Sequence, residues 1–364
     1  MKRTIAIMLK PSQDESQDFC ELQETFSAAC IQAANCGKKN KEKSRIGIHH
    51  LCYYSLRKEF PTLGAQMACN AIAKASQALK SQKRPTDILF KKGCSIHYDK
   101  RTYSLKGSTL SLFTLKKRIQ LTLEISPYHQ NFLDQGKIKE AELVRKGKRW
   151  FFHLVLDLPD VPIVGQGKAV GVDFGENVVI ATSTGKLIKG GTIKTFRDKF
   201  LSHRKRLQSN GSQAAKQRLR YISGREKRRM KYVNHCLSKE MIHEAKVNGC
   251  TAIAIEDLTN IRERIKAGKK ARSRLHRWSF HQLRSFIEYK AAAEGIEIIT
   301  VSPAYTSQTC SHCLQIGNRQ KHRFTCFNCG SFQHSDLNAS RNILRLALSA
   351  DGATGNVNCR YIAA

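Results

Sequence analysis

Three acidic residues stand at the ends of apolar or small-residue runs far apart in the chain: Asp173 ends VGVD, Glu256 ends IAIE, and Asp336 lies in HSDLNASRN. A buried strand ordinarily tolerates no carboxylate. Where two strands each finish in an acid, repulsion and desolvation must be offset, and a divalent cation offsets both. Oxygen ligands of this kind suit Mg2+, with Mn2+ as a substitute. Two such ions about 3.5 to 4 Å apart can activate a water and stabilise a leaving oxygen, as phosphodiester hydrolysis requires. Asp173, Glu256 and Asp336 would then be metal ligands and need not act as acid or base. Each acid taken alone could be a strand end or a helix cap, where Asp is common. The argument for a site is the three together, in this order. Asp257, beside Glu256, should point to the other face of its strand by the period of two, and it stays outside the set.

The second constellation is Cys310, Cys313, Cys326 and Cys329: two CxxC pairs separated by twelve residues. Four thiolates at two-residue gaps supply closed tetrahedral ligation for one structural Zn2+. His312 and His322 lie close by, but the thiolates already complete the shell. The other nine of the 13 cysteines follow no framework spacing and read as small hydrophobes in a reducing compartment.

The elements that must position these residues follow from periodicity. Thr4 to Leu9 reads as a strand, and about 13–85 as a helical block, broken at Pro61 and Gly64. YSLKGSTLSL, RIQLTLEI and WFFHLVLDL read as strands of an antiparallel β-barrel, spanning about 1–12 and 86–163, into which the helical block is inserted. PDVPIVGQG is a Pro/Gly-rich joint. Beyond it KAVGVDFG, NVVIATSTG and KLIKGG predict three consecutive strands, followed by a long helical region to about Val247 and the strand TAIAIED. A helix near His276 to Glu294, the strand IEIITVSP and a last helix from about Leu337 to Leu348 complete the order. Strands first, then alternating helix and strand, predict a mixed α/β sheet of the ribonuclease H-like kind over 164–348. The zinc ribbon, about 305–333, is inserted between the last strand and the helix that carries Asp336, so folding around zinc should help place that acid. Residues 349–364 read as a flexible tail.

The charge balance points to the partner. Lys and Arg number 63 against 29 Asp and Glu, a formal net charge of +34, which favours a polyanion. Lys194 to Lys231 holds 14 basic residues against Asp198 and Glu226, and Arg262 to Arg277 holds eight against Glu263. The first run is expected to meet a phosphate backbone. The second can equally be a flexible basic loop. No long uncharged apolar run or signal-peptide core is present, so no membrane partner is expected and the compartment should be the cytoplasm, on the nucleoid when DNA is bound.

GVDFG, IAIEDL, SFHQLRSFIEYKAAAEGIEIITVSPAYTSQTCSHC, FTCFNCG and DLNASRNI, in this order, resemble the TnpB (OrfB) proteins of bacterial insertion sequences, relatives of the type V CRISPR effectors. The resemblance runs continuously from about Lys168 to Leu348 and more weakly through YYSLRKEFPTLGAQMACNAI upstream. It implies a RuvC-like nuclease preceded by a β-barrel wedge module with a helical insert. It also implies an RNA-guided DNA endonuclease whose guide RNA comes from the transposon end and pairs with double-stranded target DNA beside a short motif. The family's catalytic acids fall on Asp173, Glu256 and Asp336, and its ribbon cysteines on Cys310, Cys313, Cys326 and Cys329. Two other classes stay open: a nuclease-silent RNA-guided repressor or transposition regulator, and an unguided structure-selective nuclease. A strand-joining transposase is weaker, and the oligomeric state is left open.

Overall fold

The first strand, β1 (Lys2–Leu9), pairs antiparallel along its whole length with β7 (Arg149–Asp157), so the chain between them is an excursion from one sheet. The computed structural model describes residues 1–82, 90–91, 93–163, 167–258, 280–349 and 361–363. These form two compact units, Met1–Pro159 and Asp160–Ala364.

In the first unit β6 (Lys137–Lys146) and β2 (Ile96–Tyr98) extend the sheet in the order β1-β7-β6-β2, every pair antiparallel. A second antiparallel sheet contains β3 (Tyr103–Lys106), β4 (Thr109–Phe113) and β5 (Arg118–Thr122). The inserted block is three helices: α1 (Gln13–Lys39), α2 (Arg45–Glu59) and α3 (Ala65–Ser81). Ser12 starts α1 with a reciprocal capping box to Glu15, which satisfies two otherwise orphaned N–H groups. Alternate residues of β7, Trp150, Phe152, Leu154 and Leu156, face inward and share one core with Phe19, Leu22 and Phe26 of α1. Burying a side chain of that size contributes roughly 1.5 to 3 kcal/mol. A short helix, α4 (Pro127–Gln135), stands where only strands and turns were expected. Ser126 caps it by accepting from His129 N–H, and Pro127 opens it.

The second unit holds a sheet ordered β10-β9-β8-β11-β12: β8 (Gly167–Asp173), β9 (Val178–Thr182), β10 (Leu187–Lys189), β11 (Cys250–Glu256) and β12 (Glu297–Val301). β8, β11 and β12 run parallel; β9 pairs antiparallel with β8, and β10 antiparallel with β9. The long helical region is two helices, α5 (Gly191–Asn210) and α6 (Gln213–Val247), separated where Gly211 takes a positive φ of 66° and Ser212 caps the next turn. α7 (Phe280–Ala293) follows β11, and α8 (Ser335–Leu348) ends the unit. The end of the chain, expected as a flexible tail, contributes β16 (Tyr361–Ala363), parallel to the start of β8. Of the scattered cysteines, Cys30, Cys52 and Cys250 are buried as expected, whereas Cys236 is exposed.

Candidate active site and zinc centre

The faces of β8 and β11 differ in side-chain size. Val170, Val172, Ile253 and Ile255 pack into a core with α6 and α7, while Ala169, Ala252 and Ala254 pack against Ile343, Leu344 and Ala347 of α8. Asp173 continues the series Ala169, Gly171, and Glu256 continues Ala252, Ala254, so the period of two sends both carboxylates to the α8 side. Parallel register pairs Val172 with Ile255, which sets the two acids side by side at the carboxyl ends of adjacent strands. Asp257 lies on the other face, where Arg284 Nη1 of α7 reaches its Oδ1 at 3.5 Å.

Small residues let α8 come close. A Cβ at Gly171 would stand 2.1 Å from the Ser340 carbonyl oxygen and 2.6 Å from Leu344 N, so no larger residue fits beneath the helix. α8 begins two residues earlier than expected because His334 caps it, its Nδ1 accepting from Asp336 N–H at 3.2 Å. Asp336 is buried in that first turn, and its Oδ2 is 3.8 Å from where a Cβ on Gly175, just past Asp173, would lie.

The electrostatics follow from this crowding. Burial first, then the charges of Glu256 and Asp336, push the Asp173 carboxyl up to about 8. Burial also raises Glu256, opposed by a hydrogen bond from Thr306 and by the Arg319 guanidinium. Thr306 Oγ1 donates to Glu256 Oε1 at 2.5 Å, and Arg319 Nη2 donates to Asp336 Oδ1 at 3.0 Å. Neither Thr306 nor Arg319 was singled out in the sequence. Arg319 is one of several cations in GNRQKHRF, and nothing in their order marks the one that turns inward.

Arg319 belongs to the ribbon, a three-stranded antiparallel sheet of β13 (Asn318–Gln320), β14 (Arg323–Thr325) and β15 (Phe332–His334) with two knuckles. The knuckles repeat one another. Leu314 N–H donates to Cys310 O as Gly330 N–H does to Cys326 O, and Leu314 and Gly330 take positive φ values of 66° and 69°. Among the described residues, the four cysteines are the group of metal-ligating side chains whose donor atoms all lie within 4.8 Å of one another. Their Sγ separations include 3.7 Å for Cys310 to Cys329 and 3.4 Å for Cys313 to Cys326. Tetrahedral zinc with Zn–S near 2.3 Å requires about 3.75 Å, so the set fits that ion. The three carboxylates are spaced more widely, two of them already hydrogen-bonded, and do not form a closed cage for one ion.

Residues 280–343, which carry α7, the ribbon and Asp336, match the family described as Cas12f1-like, TNB domain. A CRISPR-associated endodeoxyribonuclease Cas12f1 of Sulfoacidibacillus thermotolerans is 26% identical over 85% of this chain and 84% of its own. A TnpB-like protein of Methanocaldococcus jannaschii is 29% identical over 67% of this chain and 92% of its own. The chain is thus similar to TnpB and Cas12f proteins over most of its length. The fold agrees: a Cas12f1 chain, solved by cryo-EM in complex with sgRNA and target DNA, superposes with a TM-score of 0.62 at 18% identity, over 92% of this chain and 83% of that one.

This TnpB- and Cas12f-like chain also carries its long basic run on α5 and the first half of α6. Tyr221 and Tyr232 of α6 are exposed among guanidinium groups, Arg218 and Arg225 lying 5.1 and 5.8 Å from the Tyr221 ring and Arg229 6.0 Å from that of Tyr232. Cations interleaved with exposed aromatic rings suit a single-stranded nucleic acid, whose phosphates and bases each find a partner. The second basic run, Arg262 to Arg277, lies outside the described residues. Among those residues no helix is long and apolar enough to cross a membrane.

Proposed function

We propose that this chain is an RNA-guided DNA endonuclease of the TnpB and Cas12f type, with its catalytic centre at Asp173, Glu256 and Asp336. The observation that carries the reading is the convergence of three carboxylates, from two adjacent strand ends and the first turn of α8, at a place that holds one of them protonated near neutral pH. The strand order and parallel core support a RuvC-like, ribonuclease H-like nuclease. The two antiparallel sheets and three helices of Met1–Pro159 support a β-barrel wedge module, with a helical insert, that grips guide RNA and target duplex.

Hard oxygen donors crowded together in a desolvated place fit divalent cations, and Asp173, Glu256 and Asp336 would hold two Mg2+, or Mn2+ in their place. When bound, the ions supply water activation and charge stabilisation at the leaving oxygen. The chain's own groups orient that site. Thr306 fixes one oxygen of Glu256, His334 fixes the backbone of Asp336, and Arg319 places a positive charge beside the acids where a phosphodiester would arrive. The four ribbon thiolates would hold one structural Zn2+. α5 and α6 meet a phosphate backbone, and the guide RNA derives from the transposon end.

The test is to express the protein with its native flanking DNA and sequence the RNA that copurifies. That complex is then assayed on a randomised-flank plasmid library with Mg2+, beside Asp173→Ala, Glu256→Ala and Asp336→Ala. Cleavage that needs both the RNA and each acid supports the reading. Bound RNA with no products would replace it with a repressor, and acid-dependent cutting without RNA with an unguided nuclease.

A further inference from the structure

The chain between β12 and the first knuckle is stitched to α8 by two buried amides. Asn342 Nδ2 donates to the carbonyl oxygens of Thr306, at 2.9 Å, and Thr309, at 2.6 Å. One turn earlier on the helix, Asn338 Nδ2 donates to Thr309 O at 2.7 Å, and its Oδ1 accepts from the N–H of Ser311, inside the Cys310 knuckle, at 2.8 Å. Asn342 Oδ1 is buried with no partner. Turning the amide over would satisfy nothing, since it would set an oxygen against two carbonyls, so the side chain gives up one bond to keep two. A native protein retains such an unpaired buried group where the geometry it fixes is needed.

What it fixes is Thr306, itself buried. The Thr306 hydroxyl has one proton and two acceptors in reach: Glu256 Oε1 at 2.5 Å and Pro303 O at 3.2 Å. The shorter distance and the charged acceptor assign the proton to Glu256. α8 therefore carries Asp336 directly and also governs Glu256, through Asn342 and the Thr306 hydroxyl.

We propose that Thr306 is a positioning residue that holds Glu256 in its ion-binding orientation, locked by Asn338 and Asn342 to the helix and to the zinc knuckle. This rests on Glu256 being an ion ligand, as proposed above. A glutamate has three rotatable side-chain bonds, and without the hydroxyl the incoming cation alone must order them. Hydrogen-bond partners one step removed from a metal typically change its affinity about 10- to 100-fold.

The experiment compares Thr306→Val, which keeps the shape and removes the hydroxyl, with Thr306→Ser, which keeps the hydroxyl. Binding of Mn2+ to the purified full-length protein is followed by electron paramagnetic resonance without nucleic acid, beside thermal unfolding and zinc content. Thr306→Val is expected to weaken Mn2+ binding about tenfold or more and to raise the Mg2+ concentration for half-maximal cleavage in step. Its zinc content and unfolding temperature should stay near wild type, and Thr306→Ser should restore Mn2+ binding. Wild-type Mn2+ affinity in Thr306→Val, or equal loss in both variants, overturns the proposal. Glu256→Gln separates the two layers: if it binds Mn2+ and cleaves as wild type, Glu256 is no ligand and the reading of the site itself fails.

Discussion

Arg319 of the ribbon hairpin donates to Asp336 of α8 at 3.0 Å, so the zinc-binding insert supplies the counter-ion to the candidate site. The same guanidinium favours the ionised forms of Asp173 and Glu256, opposing the upward push of burial. Arg319 is 38% exposed and Asp336 only 12%, so solvent screens part of the attraction while the acid stays desolvated. Removing the cation as Arg319→Gln should destabilise the ion-free second unit by about 1 kcal/mol, a fall of roughly 2 to 4 °C in unfolding temperature. Saturating Mg2+ should close most of that gap. A variant with an unchanged unfolding temperature in chelator would show that the pair contributes nothing.

The pH dependence has a definite sign. Asp173 titrates at about 8 in the fold against an ordinary 3.8, because of burial first and then the neighbouring Glu256 and Asp336 charges. Between those values the unfolded chain has lost the proton and the folded chain still holds it. The contribution is therefore fully present at low pH and is lost as pH rises from about 4 through about 8. A divalent cation favours the ionised form and should release a proton as it binds. In chelator, the unfolding temperature of the wild type should fall relative to Asp173→Asn between about pH 5 and pH 8, and Mg2+ should reverse the order. Parallel curves would mean that Asp173 keeps its ordinary ionisation.

Much of this was legible in the sequence, and the exceptions have physical reasons. Asp173 and Glu256 announced themselves because an acid after an apolar run violates strand burial, and the CxxC pairs because few other arrangements use that spacing. The order of strands and helices in the second unit could be read because long periodic segments carry their own signal. The missed helix α4 is only nine residues, with no buried side chain to give it a period. Its Ser-Pro start was the available clue. Thr306 and Arg319 act from a loop and a three-residue strand whose direction is decided by tertiary contacts, so their residue types alone carried no message. The early start of α8 was hidden because His is an unusual cap.

Zinc should be needed for cleavage rather than for the first unit's fold. Cys310 is buried, and its knuckle is tied to Asn338 two residues beyond Asp336. Cys310→Ser is expected to lower zinc from one per chain to almost none and to reduce cleavage about 100-fold or more, leaving the first unit's thermal transition in place. Full cleavage by zinc-free protein would uncouple the ribbon from the acids.

On α6, rings and cations should contribute differently. Replacing Tyr221 and Tyr232 by Ala removes stacking worth about 1 to 3 kcal/mol per base, an affinity loss of roughly tenfold each, with little change in salt dependence. Replacing Arg218 and Arg225 by Gln should instead make the slope of log affinity against log salt shallower by about 1 per residue. Filter binding of single-stranded RNA across a salt series distinguishes them. Wild-type affinity in all four variants would remove this face from the interface.

Gly171 tests whether the seating of α8 sets the site. A methyl group there meets backbone atoms of Ser340 and Leu344, which cannot rotate aside, so Gly171→Ala must lift the helix. Overpacking of this kind costs typically 1 to 3 kcal/mol, about what a moderate cavity elsewhere would cost. The site should suffer more than the fold. Asp336 rides on the same helix, and a displacement near 1 Å can reduce a rate about 100-fold. Ile343→Val, in the same core and without the clash, should lose roughly 0.5 to 1.5 kcal/mol and keep most of its cleavage. Compared at a temperature where both are fully folded, Gly171→Ala should cleave about 100-fold more slowly than Ile343→Val. Equal rates would mean that Asp336 finds its place independently of how closely α8 approaches β8, and that the bound cations, not the packing, gather the three carboxylates.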